Sequence, residues 1–146
     1  DFVAELSAFR KRHPVLTRDH FLSGHARNGV RDVTWLHPDG REMTGGDWND
    51  ASASVLGMRL QHDAEDLIVW FNRRIEPVLA RLPEGYWTVG LVSDDRAVLP
   101  LADRAATLPP RSVIVLVKGR IPPERPFAMP AEDVPGPGPE ERGPGR

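Results

Sequence analysis

The chain has 146 residues, of which 19 are basic and 21 acidic, with a formal net charge of −2 and no cysteine. Interspersed charge of this kind gives no one-signed field to attract a polyanion, so nucleic-acid binding is disfavoured, and the lack of cysteine removes a disulfide framework and a thiolate metal site. The longest apolar runs, Leu67 to Phe71 and Val113 to Val117, are five residues each, far below the roughly 20 that span a bilayer, so no membrane partner is expected and the cytoplasm is the default location.

A chain of this length has room for one domain and can bury roughly two thirds of its unfolded surface without staples. Its start, Asp1-Phe2-Val3, carries no initiator Met and no basic, signal-like leader, and reads as an internal point of a longer protein. Phe2, Leu6, Phe9 and His13 then recur at spacings of three to four, predicting an amphipathic helix that ends before Pro14. So short a helix is marginal alone, and its apolar stripe needs a surface to pack on.

Residues 14 to 31 hold Gly24, Asn28 and Gly29 with little periodicity and read as a connecting loop. The pattern then changes to period two. Asp32 to Leu36 reads as a strand, His37-Pro38-Asp39-Gly40 as a tight turn and Arg41-Glu42-Met43 as the return of a hairpin. A polar loop over Thr44 to Asp50 follows, with Trp48 as its one large apolar group.

Val55 to Leu60, Leu67 to Asn72, Tyr86 to Val92 and Ser112 to Lys118 are extended runs, with another around Ile75 to Leu82 that Pro77 should hold to an edge, and short pieces near Val98 and Thr107. Turn signals every ten residues or so predict an all-β antiparallel β-sandwich preceded by one short α-helix. From Gly119 to Arg146 the composition shifts, with eight of the 15 prolines and five of the 13 glycines. A segment this poor in apolar groups predicts a disordered Pro/Gly-rich tail.

Few constellations carry chemistry. Glycosidic cleavage needs two carboxyl groups about 5 to 10 Å apart, one with a raised pKa. The adjacent acids Asp47/Asp50, Glu65/Asp66 and Asp94/Asp95 are all expected in solvated polar loops, where turn chemistry accounts for them. His13, His20, His25, His37 and His62 have no metal-ligand spacing, so neither a metal nor a cofactor is expected. Trp35, Trp70 and Trp87 fall in strand patterns and are expected to pack in or on the sheets. Trp48, flanked by Asp47, Asn49 and Asp50, has the setting of an aromatic that stacks on a sugar ring. Trp48, Asp47, Asn49 and Trp35 are therefore the carbohydrate-contact candidates, against the alternative that Trp48 plugs its loop onto the body.

Phe9-Arg10-Lys11-Arg12-His13-Pro14-Val15-Leu16 followed by Phe21-Leu22-Ser23-Gly24 resembles the last barrel helix and exit loop of bacterial glycogen debranching enzymes of the isoamylase type, glycoside hydrolases of the α-amylase superfamily. Asp32-Val33-Thr34-Trp35-Leu36-His37-Pro38-Asp39-Gly40-Arg41-Glu42-Met43-Thr44, then Asp47-Trp48-Asn49, is similar to that family's D-V-x-W-x-x-P-D-G-x-E-M-T…D-W-N signature. Leu56-Gly57-Met58, Asn72, Glu76-Pro77 and Pro110 to Leu116 resemble its later strands. The likeness covers residues 2 to about 118. Gly45-Gly46 and Arg73-Arg74 depart from it, the family usually having acidic residues at the first pair and a small residue then His at the second.

The resemblance implies the end of a catalytic barrel over 1–31, a C-terminal β-sandwich over 32–118 and a tail over 119–146. It also implies hydrolysis of α-1,6 branch linkages in glycogen, through catalytic carboxylates that lie upstream of the matching region. None maps onto this chain, so no catalytic residue is expected here. The expected partners are the barrel of the same enzyme and glycogen or malto-oligosaccharides. The alternative is a stand-alone carbohydrate-binding or interaction module without catalysis.

Overall fold

The computed structural model describes residues 1–94, 101–102 and 104–119. It opens with helix α1, Phe2–Arg12, capped by Asp1, whose carboxylate accepts the Val3 N–H at 3.1 Å. Arg10, Lys11 and Arg12 occupy its last turn, where cations suit the negative end of the helix dipole. The helix stops before Pro14, as expected, and a single 3-10 turn, Pro14–Leu16, follows it.

Among the described residues ten strands follow in chain order: β1 Ala26–Arg27, β2 Val30–Arg31, β3 Val33–Leu36, β4 Val55–His62, β5 Glu65–Asn72, β6 Val78–Arg81, β7 Tyr86–Val92, β8 Leu101–Ala102, β9 Ala105–Leu108 and β10 Ser112–Gly119. Between β3 and β4 lies a four-residue helical turn, α2, Gly45–Trp48. One sheet has the order β3-β4-β5-β10-β7 and a second β6-β9-β8, every pair antiparallel, with β1-β2 as a separate ribbon. This is an all-β sandwich with one helix laid on its outside.

The two faces of the large sheet explain its sequence. Side chains alternate across a strand, so Ile68, Trp70, Ile114 and Leu116 point inward onto Ala80, Ala106 and Leu108 of the small sheet, joined by Leu36, Leu82 and Trp87. Leu67, Val69 and Val115 point the other way and are buried too. Phe9 of α1 packs on Val69 and Val115, and Val15 of the 3-10 turn on Val33, Leu60 and Leu67. Each large side chain so buried contributes about 1.5–3 kcal/mol. With both faces covered, β5 and β10 read as continuous apolar runs instead of alternating ones.

Polar groups tie the layers. Asn72, buried at the end of β5, donates from Nδ2 to the carbonyls of Pro109 at 2.9 Å, Glu76 at 3.2 Å and Leu108 at 3.3 Å, and its Oδ1 accepts the Arg74 N–H at 2.9 Å. Glu65 takes the Val15 N–H at 2.7 Å on one carboxylate oxygen and meets His13 Nδ1 at 3.0 Å with the other. Asp66 forms a two-pronged pair with Arg59 at 2.7 and 2.9 Å.

Several expectations need correction. The segment 14–31 is more than a loop, because Asn28 and Gly29 take the left-handed backbone (φ +52° and +77°) that closes a two-residue hairpin between β1 and β2. The return at 41–43 is a single bridge, Leu36 to Glu42, since β3 spends its ladder on β4. Thr44 to Asp50 is a capped helical turn instead of an irregular loop, for reasons given below. The strand expected over 75–82 is shortened to Val78–Arg81, beginning just after Pro77, which has no N–H for a ladder. Glu65 and Asp66 lie on a strand and are largely buried, not in a solvated loop. Thr107 falls within β9, while Val98, Asp95 and the tail from residue 120 lie outside the described residues.

Candidate functional site

The segment after β3 is built by successive side-chain bonds to backbone. The turn 37–40 closes with Gly40 N–H on the His37 carbonyl at 2.9 Å and His37 N–H on the Arg41 carbonyl at 2.8 Å. Gly40 has φ +98°, and a β-carbon there would stand 3.1 Å from Arg81 Cβ, so only glycine combines this conformation with this approach. The Pro38 carbonyl accepts the Arg81 N–H at 2.9 Å, which docks the turn on β6 of the small sheet.

Thr44 then caps α2. Its Oγ1 accepts the Asp47 N–H at 3.4 Å, and the Asp47 carboxylate accepts the Thr44 N–H at 2.7 Å and hydroxyl at 2.8 Å. This reciprocal capping box, with Asp in the third helical position where Glu or Gln is usual, turns a glycine pair into a helical turn. Arg41 clamps the same carboxylate with both terminal nitrogens, Nη2 at 2.8 Å, and bonds Asp39 through Nε at 2.9 Å. The Arg41 hydrogen bond, then the Thr44 N–H, hold the Asp47 carboxyl well below the usual carboxylate range.

Trp48 ends this turn. Its ring meets that of Trp35 nearly edge to face, centroids 5.6 Å apart and planes at 79°, yet 53% of its surface stays open. Trp35 in turn packs on the cluster of Val15, Val33, Leu60 and Leu67. A cleft of about 300 Å³ runs from Trp48 across Met43 and Leu56 to Phe71 and Arg73, with Asp50 on its rim. Phe71 stands opposite Leu56 in the ladder and is 39% exposed, on the outer face beyond the reach of α1. The Asp50 carboxylate accepts the Ser52 hydroxyl at 2.6 Å and N–H at 2.9 Å, and these bonds, the hydroxyl first, lower its pKa.

Of the residues singled out in the sequence, Trp35, Asp47 and Trp48 come together as one unit. The acceptors of Asp47 are engaged within the turn, so its role is to hold Trp48 in place. Asn49 closes the turn through its backbone, exposed and outside the cleft. Phe71 and Arg73 were not singled out. The sequence carried no signal for Phe71, which lies within the continuous apolar run of β5; in the structure it shares a face with Leu67 and Val69 at the open end of the strand. The cleft can stack and hydrogen-bond a polyol, but with Asp47 and Asp50 both held ionised it has no general acid.

A second groove, about 950 Å³, lies between the β1-β2 ribbon and the turn from β4 to β5, with Arg18, Phe21, Asp32, His62 and Lys118 on its walls. Asp32 shapes it by accepting the Ser23 and Gly24 N–H groups, each at 2.8 Å; the Ser23 bond leads in lowering its pKa. Among the described residues no group of three or more His, Asp or Glu side chains is placed to hold a metal ion. None of the described helices is long and apolar enough to cross a membrane.

Comparison with known proteins finds no matching family model. The glycogen operon protein GlgX homolog of Mycobacterium bovis is 30% identical over 141 residues, covering 80% of this chain and 20% of that protein. The homolog from Mycobacterium tuberculosis gives the same figures. This chain is a homologue of the GlgX glycogen operon proteins. It spans about a fifth of the length of these GlgX relatives. The trehalulose synthase MutB aligns with a TM-score of 0.50 at 18% identity, covering 77% of this chain and 16% of that one, a likeness of fold.

Proposed function

We propose that the chain is the C-terminal accessory β-sandwich of a longer cytoplasmic enzyme that hydrolyses α-1,6 branch linkages in glycogen, its catalytic barrel supplied by the rest of that enzyme. The observation that carries this reading is the 30% identity to GlgX homologs over 80% of the chain but only 20% of those proteins. The helix supports it. Phe2, Val3 and Leu6 stay exposed on α1 while Phe9, on the same stripe as Phe2 and Leu6, is buried against the sheet, so the first turns of the helix carry apolar surface free to meet another body.

In this reading the sandwich positions and stabilises the barrel and performs no bond cleavage, since the carboxylates at its cleft, Asp47 and Asp50, are engaged in a cap, an ion pair and a turn. The test extends the coding sequence upstream and assays the longer product on glycogen beside the present chain. The longer product should release linear malto-oligosaccharides and the present chain none. An upstream frame without a barrel, or release of linear chains by the present chain alone, would defeat the proposal.

A further inference from the structure

Resting on that reading, we infer that the cleft between Trp48 and Phe71 is a non-catalytic holding site for an α-glucan chain, separate from wherever the bond is cut. Four observations meet there. Trp48 is a large aromatic more than half exposed, and its place is fixed from below by the edge-to-face contact with Trp35. Its backbone is fixed from the side by the Thr44–Asp47 box and the Arg41 clamp. That much local bonding spent on an exposed ring is more than an adventitious surface tryptophan needs, and a ring held in advance loses little side-chain entropy when a sugar stacks on it.

The rest of the cleft suits the same ligand. Phe71, 39% exposed, supplies a second apolar face across the groove. Asp50, ionised, and Arg73, whose Nη2 reaches the Ala53 carbonyl at 3.4 Å, put an acceptor and a set of donors on the rim, where vicinal hydroxyls can bond both. A volume of about 300 Å³ lies at the lower end for small-molecule sites. An open cleft with two aromatic faces and charged hydrogen-bonding groups fits a few glucosyl units of a chain whose remainder stays in solvent. Such a site binds weakly, with a Kd on the order of 1 mM.

The experiment titrates the full chain with maltoheptaose to about 20 mM, well past the expected Kd, while the indole N–H resonances of the four tryptophans are followed. The expected result is a saturating shift of the Trp48 resonance with Trp70 and Trp87 unmoved. Trp48→Ala should weaken binding about tenfold or more, as loss of an aromatic anchor does. Phe71→Ala should weaken it several-fold; because it alters only the open sheet face, it serves as the second arm if Trp48→Ala disturbs α2. No saturable shift, or binding that survives both substitutions, overturns the inference. Glycogen hydrolysis by the longer product is scored separately: hydrolysis without a Trp48 shift rejects this cleft alone, and maltoheptaose binding here without hydrolysis supports the cleft while rejecting the enzyme.

Discussion

The six-membered ring of Trp70 occupies the place where residue 57 would carry a side chain: a β-carbon built on Gly57 would stand 2.8 to 3.0 Å from three of its ring atoms. The two residues face each other across the β4-β5 ladder, and Trp70 is fully buried with the small sheet packed over it. The ring therefore has nowhere to move. Gly57→Ala should destabilise the fold by about 1–3 kcal/mol, the usual cost of overpacking a dense core. Equilibrium denaturation measures this, and an unchanged midpoint would show that the core is looser than described.

Glu65 fastens the N-terminal segment to the sheet through His13 and the Val15 N–H. Glu65→Ala leaves that half-buried N–H without its partner and should cost about 1–3 kcal/mol. Glu65→Gln keeps a carbonyl oxygen for Val15 and should recover part of the loss. Equal stabilities for the two variants would mean that the hydrogen bond contributes nothing.

Asn72 is 3% exposed and serves three carbonyls from one amide nitrogen. Asn72→Asp preserves shape but replaces the donor with a charge facing those carbonyls. A loss of 3 kcal/mol or more is expected at neutral pH, roughly that of a buried, uncompensated charge. It should shrink in acid as the new carboxyl protonates. A neutral-pH loss below about 1 kcal/mol would place solvent in this corner of the sandwich.

The Arg41–Asp47 pair predicts a pH dependence of definite sign. Arg41 and Thr44 lower the folded pKa of Asp47 relative to an unfolded value near 3.9. The stabilisation is thus fully present above about pH 4 and drains away as the pH falls from there toward the folded value. Asp47→Asn should be less stable than the parent near pH 7, and the gap should narrow by about pH 3. Asp32, Asp39 and Asp50, whose pKa values are lowered as well, titrate in both proteins and largely cancel in the difference. Denaturation midpoints of the pair at both pH values decide it, a constant gap being the contrary result.

Much of this was legible in the sequence because the signals were local. The stripe through Phe9, the stop at Pro14 and the long apolar runs of β5 and β10 each fix an element through its own residues. What escaped was set by small polar groups acting a few residues apart. Asn28-Gly29 closes a hairpin whose strands are too short to show alternation, and Thr44 with Asp47 makes a helical turn from a glycine pair that propensity would leave unstructured. For the cleft, Trp48 stood out as a lone aromatic in polar company. Phe71 was hidden inside an apolar run, and its partial exposure depends on where α1 stops covering the sheet, a tertiary fact no window of sequence contains.

The placement of α1 bears on how such a piece is passed between proteins. Phe9 and Val15 close over Val69, Val115, Val33, Leu60 and Leu67, so the first sixteen residues act as the lid of this sheet even if they also complete something upstream. A natural recombination or engineered graft that broke the chain just before β3 would leave the outer face of the large sheet bare. A transferable unit therefore has to carry the helix and the 3-10 turn together with the sandwich, and cannot start at the foot of β3.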